Sequence, residues 1–135
     1  MVYVTRREVF SSSHRLNNPE LTEEENAELY GKCNSPNWHG HNYVLEVVVA
    51  GEVNPKSGYV IDLSVLKEII RDNVTSKLDH RNLNLDVEFM KGKITSSENL
   101  VIEIWKQLAD KIPSGKLYSI KLYETENNYV EYKGE

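Results

Sequence analysis

Polar and apolar residues alternate loosely from Val2 to Phe10. That pattern predicts a first strand running into the serine cluster Ser11-Ser12-Ser13. From His41 to Glu52 the alternation is regular. Tyr43, Leu45, Val47 and Val49 fall on one face, and Val44, Glu46, Val48 and Ala50 on the other, as a long strand requires. Between Ser64 and Lys77 the spacing turns helical, with Val65, Leu66, Ile69, Ile70 and Val74 on one stripe. Ser96 or Ser97 caps a second long helix carrying Leu100, Val101, Ile104, Trp105 and Leu108, and Pro113 and Gly115 close it. Strands return at Leu117 to Glu124 and Tyr129 to Tyr132, joined by a turn at Glu126-Asn127-Asn128. Two smaller signals complete the pattern. Thr22 and Glu25 form a capping box that opens a short polar surface helix ending at Gly31. Asn54 to Gly58 is turn chemistry, followed by an extended Tyr59-Val60-Ile61.

The order strand, strand, helix, helix, strand, strand predicts an α+β fold: an antiparallel sheet of about four strands with two helices on one face. The other face and both edges would be bare, so self-association is expected. No repeat, linker or low-complexity run interrupts the chain, and residues 1–135 read as one domain. Its 135 residues suffice for a real core. The balance of 16 basic against 21 acidic residues, net charge −5, argues against a nucleic-acid partner. The apolar run Val47-Val48-Val49-Ala50 is far too short to span a membrane. No leader is expected at Met1. One cysteine, Cys33, forbids an intrachain disulfide and fits a reducing, cytoplasmic setting.

Chemistry concentrates around the few histidines. His39-Gly40-His41 opens the long strand, so both imidazoles project from one face, and the glycine admits close approach. His14, at the end of the first strand, could bring a third ring to the same point. Three neutral imidazoles describe a catalytic zinc site with an open fourth position; nickel and copper accept the same donors. The bland alternative is a chance His-Gly-His, and a structural rival closes the shell with Cys33. A lone loop cysteine is ordinarily inert. Beside a cationic centre, however, its thiol would become a usable base. Asp79-His80 reads either as a surface pair or as an acid/base unit in which the carboxylate fixes the imidazole tautomer.

Phe10-Ser11-Ser12-Ser13-His14-Arg15-Leu16, Gly31-Lys32-Cys33-Asn34-Ser35-Pro36, His39-Gly40-His41-Asn42-Tyr43, Leu78-Asp79-His80-Arg81-Asn82-Leu83, Ser97-Glu98-Asn99 and Tyr123-Glu124-Thr125 together resemble the 6-pyruvoyltetrahydropterin synthase family. The likeness runs from about Phe10 to the terminal Tyr132-Lys133-Gly134-Glu135. It implies conversion of 7,8-dihydroneopterin triphosphate to 6-pyruvoyltetrahydropterin with loss of triphosphate, on the route to tetrahydrobiopterin. It also implies Zn²⁺ on His14, His39 and His41, Cys33 as general base, and Asp79 and His80 completing a proton-transfer triad. Glu124 would anchor the pterin, helped by Ser96, Ser97 and Glu98. The implied architecture is the tunnelling fold, in which trimers close a barrel and pair as a homohexamer. Without the family, Glu124 reads as a solvated charge near a turn.

Within the resemblance, the rival is 6-carboxytetrahydropterin synthase of queuosine biosynthesis. The five residues between Cys33 and His39, and the terminal Tyr-Lys-Gly-Glu, resemble the pyruvoyl type. A non-catalytic metal- or pterin-binding module is the alternative from another class. Trp38 departs from a family glycine, Ser96 and Ser97 from threonines, and Asp62 reads as a helix cap. Arg15, Lys32, Arg81, Lys91 and Lys93 are the available triphosphate cations.

Overall fold

The computed structural model describes residues 1–135. Strand β1 (Val2–His14) and strand β2 (His39–Gly51) form an unbroken antiparallel ladder from Val2↔Gly51 to His14↔His39. Both strands are longer than the apolar alternation indicates. The serine cluster stays in the ladder because its small polar side chains tolerate either face. His39 and Gly40 join β2 because they pair with His14 and Ser13.

Between them lies α1 (Glu23–Tyr30), opened by the Thr22/Glu25 capping box and ended by Gly31 at φ 57. A 3₁₀ turn, Gly31–Asn34, follows. Helix α2 (Leu63–Ile70) is capped by Asp62, whose carboxylate accepts from the Ser64 N–H at 2.9 Å. The expected helix then changes winding. A π-helical turn, Arg71–Thr75, precedes a last α-helical turn, Ser76–Leu78. Tyr59-Val60-Ile61 forms no strand, although Val60 and Ile61 are buried in the core. Helix α3 (Ser97–Leu108) is capped by Ser96, which accepts from the Asn99 N–H at 3.2 Å.

The sheet has five strands rather than four, in the order β3-β1-β2-β4-β5. The addition is β3 (Arg81–Asn82), which runs parallel to Ser12 and Ser13 of β1. Two residues carry no periodicity, so tertiary contacts create this strand. His80 N–H donates to the Ser11 carbonyl and Leu83 N–H to that of Ser13, while Ser11 N–H donates to Asp79 Oδ1. Strands β4 (Lys116–Tyr123) and β5 (Tyr129–Tyr132) extend the other side, with a register shift where β2 passes Val48 and Val49.

The inner face carries Phe10, Tyr43, Leu45, Val47, Val49, Ile120 and Leu122. It packs against Leu66, Ile70 and Val74 of the α2 segment and Leu100, Ile104 and Leu108 of α3, all in one buried cluster. Burying such side chains stabilises by about 1.5–3 kcal/mol each before entropy is counted. Away from the helices, Tyr3, Val9, Tyr118 and Tyr129 remain exposed. No helix is long and apolar enough to cross a membrane.

Candidate metal centre and active site

The β1–β2 register determines the site. His14 lies opposite His39, and His41 is two residues along the same face. The ladder therefore gathers three imidazoles, with ring centroids 4.6, 5.1 and 5.0 Å apart. One potential ligand atom from each ring lies within 4.8 Å of those of the other two. Between the two β2 histidines, a Cβ on Gly40 would stand 3.1 Å from the Ser12 carbonyl oxygen. Glycine thus lets the strand ends approach closely.

The ring nitrogens show what the cluster can hold. His14 is 1% exposed. Its Nδ1 lies 2.8 Å from the Thr95 carbonyl oxygen; since a carbonyl can only accept, Nδ1 carries the proton and Nε2 keeps its lone pair. His14 Nε2, His39 Nδ1 and His41 Nε2 are all buried without a hydrogen-bond partner. Three orphaned nitrogens converging on one point have the donor chemistry of a three-imidazole metal site. Burial holds the His14 imidazole below its ordinary pKa, against the upward pull of the Thr95 carbonyl. Burial also lowers that of His41, opposed by the charge of Glu124. Both rings are thereby biased toward the neutral form that binds metal.

Glu124, just beyond the end of β4, reaches the same place. Its Oε1 is 3.5 Å from His41 Nε2, and its Oε2 accepts from Ser97 Oγ–H at 2.7 Å. Ser97, Glu98 and Glu124 line a cavity of about 210 Å³ with Asn128, Tyr129 and Val130. Ser96 stands apart from this group, since its hydroxyl is engaged as the α3 cap. Beneath the histidines, Tyr43 stacks on Phe10 with ring centroids 4.9 Å apart. Burial, reinforced by the charge of Glu124, pushes its hydroxyl far up in pKa, so the phenol is neutral.

Asp79 and His80 form a second unit. Asp79 Oδ2 is 3.0 Å from His80 Nδ1. The Ser11 N–H, with His80, holds the Asp79 carboxyl below its ordinary value. His80 sits at φ 60 in the left-handed region, which turns its side chain out to solvent, 84% exposed. His80 and His41 line one open cavity of about 510 Å³ with Arg81 and Asn82. Cys33 is a free, half-buried thiol on the 3₁₀ turn, outside the group whose ligand atoms converge. Among the candidate phosphate cations, Arg15 is engaged: its Nε donates to the Asn34 carbonyl at 2.9 Å.

Thr95 has no counterpart among the sequence-derived candidates. It meets His14 through a backbone carbonyl, a contact on which side-chain identity leaves no signal.

An α+β chain that gathers three open imidazole nitrogens at one end of its β1–β2 ladder, with a serine-held carboxylate beside them, has the build of a protein whose site could hold a metal ion. Residues 3–135 match the 6-pyruvoyl tetrahydropterin synthase family, and the chain belongs to that family. It is 54% identical over 136 residues to the 6-pyruvoyl tetrahydrobiopterin synthase of Dictyostelium discoideum, covering 99% of this chain and 97% of that one. The protein of the same name from Homo sapiens is 47% identical over 132 residues, covering 98% and 91%. The solved structure of Caenorhabditis elegans 6-pyruvoyl tetrahydropterin synthase superposes with a TM-score of 0.94 at 43% identity, covering 99% and 96%.

Proposed function

We propose that this protein converts 7,8-dihydroneopterin triphosphate to 6-pyruvoyltetrahydropterin and inorganic triphosphate, as a lyase of tetrahydrobiopterin synthesis. One observation carries the reading: the three orphaned imidazole nitrogens lie beside a carboxylate that Ser97 holds in place. The reaction needs no external oxidant, because reduction of the pterin ring is matched by oxidation of side-chain carbons as triphosphate leaves.

His14, His39 and His41 would hold one Zn²⁺. When bound, zinc supplies Lewis-acid polarisation of the side-chain oxygens, which acidifies the neighbouring C–H bonds. The remaining work belongs to the chain. Glu124 offers two carboxylate oxygens to the N–H donors of the pterin, and the Ser97 hydroxyl fixes the carboxylate plane. Glu98 lines that cavity, and Ser96 contributes by starting the helix there. Cys33, as thiolate, removes a carbon-bound proton. Asp79 orients His80 through Nδ1, leaving Nε2 to carry a proton.

The assembly belongs to the same proposal. The exposed sheet face with Tyr3, Val9, Tyr118 and Tyr129, and the length of β1 left unpaired beyond the short β3, fit trimers that close sheets into a barrel and pair as a homohexamer. The cytoplasm suits a chain whose one cysteine is a free thiol.

The test is turnover by the zinc-loaded protein with 7,8-dihydroneopterin triphosphate as sole substrate, read by mass spectrometry. Formation of 6-pyruvoyltetrahydropterin supports the proposal. Acetaldehyde with 6-carboxytetrahydropterin would assign the queuosine-type reaction instead. No turnover, with sulfur bound to the metal, would leave a binding module. Metal analysis tests zinc, and native mass spectrometry tests the hexamer.

A further inference from the structure

Asn34 follows Cys33 directly, is 7% exposed, and is engaged at both ends of its side chain. Its Nδ2 donates to the Leu16 carbonyl at 2.7 Å and to Asn17 Oδ1 at 3.1 Å. Its Oδ1 lies 3.5 Å from Arg15 Nη2, and its backbone carbonyl accepts from Arg15 Nε at 2.9 Å. The Cys33 carbonyl in turn accepts from the Leu16 N–H at 2.8 Å. The cysteine turn is therefore bolted to the three residues that follow His14 in the chain.

The far side of that segment is held as firmly. Arg15 N–H donates to Asn84 Oδ1 at 3.0 Å, and Asn84 Nδ2 donates to the Arg15 carbonyl at 2.8 Å. Thr95 Oγ1 donates to the same Asn84 Oδ1 at 3.0 Å, while the Thr95 carbonyl receives His14 Nδ1–H. An unbroken run of hydrogen bonds thus links the buried imidazole of His14 to the turn that carries the thiol. Arg15 is engaged in this frame on both its main chain and its guanidinium, which leaves fewer of its donors for a phosphate.

We propose that Asn34, clamped by Arg15, is a positioning residue that sets where the Cys33 thiol stands relative to His14. Apart from the Leu16 N–H on its own carbonyl, Cys33 has little else to fix it: α1 ends at Gly31, and the 3₁₀ turn is one turn long. The inference rests on the reading of Cys33 as the base wherever it concerns turnover, but the position of the thiol can be measured without turnover.

The experiment uses full-length Asn34→Asp, loaded with zinc. This near-isosteric change keeps the acceptor for Arg15 and removes both Nδ2 donors. Three quantities are read: zinc per chain, the iodoacetamide alkylation rate of Cys33 across pH, and kcat separately from KM. Zinc content is expected to stay at the wild-type level while the alkylation rate changes by about threefold or more. A misplacement of the order of 1 Å should lower kcat roughly 10- to 100-fold, with KM within about threefold. Wild-type alkylation in a folded, zinc-loaded variant overturns the proposal, whatever kcat does. Altered alkylation with wild-type kcat upholds the clamp and removes Cys33 from catalysis, so the two readings fail separately. If Asn34→Asp does not fold, Arg15→Lys is read in the same way, since lysine lacks the planar fork that reaches both Asn34 oxygens. A rise confined to KM in Arg15→Lys would place that charge on the substrate and overturn the clamp.

Discussion

Glycine at position 80 should make a more stable protein than alanine, the reverse of the usual order. His80 has φ 60, where a side chain with a Cβ is strained by about 1–2 kcal/mol. Glycine is free of that strain but is disfavoured by about 0.5–1 kcal/mol through the larger freedom of its unfolded chain. Neither His80→Gly nor His80→Ala retains the imidazole or its contact with Asp79, so those losses cancel when the two variants are compared. Little burial is lost either, because the side chain is 84% exposed. The midpoints of the two ranges leave about 0.75 kcal/mol in favour of glycine. For a chain of this size that corresponds to a Tm roughly 2–4 °C higher than in the alanine variant. Paired denaturant and thermal unfolding of the two variants supplies the comparison. Alanine equal to or above glycine would refute the argument that the backbone is strained here. Both variants should lose turnover by about 10²-fold or more if the imidazole carries a proton. Strain held beside a functional group, and released only with loss of that function, is the relation expected of a site conformation kept for its chemistry.

Three further outcomes follow from the geometry. Cys33→Ala should retain zinc at one ion per three-histidine site, because the thiol lies outside the convergent group, while turnover falls by about 10²–10⁴-fold; loss of metal on atomic-absorption analysis would make the sulfur a ligand. Ser97→Ala leaves Glu124 without its 2.7 Å donor. A hydrogen bond to a charged group contributes about 1.5–3 kcal/mol, so KM should rise at least tenfold with zinc content unchanged, and an unaltered KM would separate Glu124 from substrate binding. Asp79→Asn addresses pH. Because the folded state holds the Asp79 carboxyl below 3.8, the unfolded chain binds more protons there, and its share of stability is present above that value and fades as pH falls through the folded one. The variant should therefore show a shallower loss of stability below about pH 4 in urea titrations; an equal slope would refute the tether from Ser11.

What the chain discloses in one dimension depends on repetition. The β2 alternation, the α2 and α3 stripes, and the Thr22, Asp62 and Ser96 caps all rest on local rules, and each forms where the pattern places it. The His39-Gly40-His41 spacing needs only the two-residue period of a strand to put both rings on one face. His14 needed the pairing of two strands, which a serine-rich strand end announces weakly. Features made by tertiary contact stay invisible. Strand β3 is two residues long and exists through Ser11 and Ser13. The π-helical turn at Arg71–Thr75 leaves the apolar stripe intact and so changes no pattern. Thr95 serves through its carbonyl. Asn34 is an ordinary loop residue by type, and only its burial and its partners mark it out.

Because the three imidazoles that could hold an ion sit at the last rungs of the β1–β2 ladder, the strand pair polices its own alignment. A slip of one residue anywhere along either strand would turn its histidines to the opposite side, and the slipped form would have nothing to grip. Metal uptake would then act as a caliper that favours correctly aligned molecules. Gains or losses of residues should accordingly gather in the connection carrying α1, and be absent from the two strands themselves.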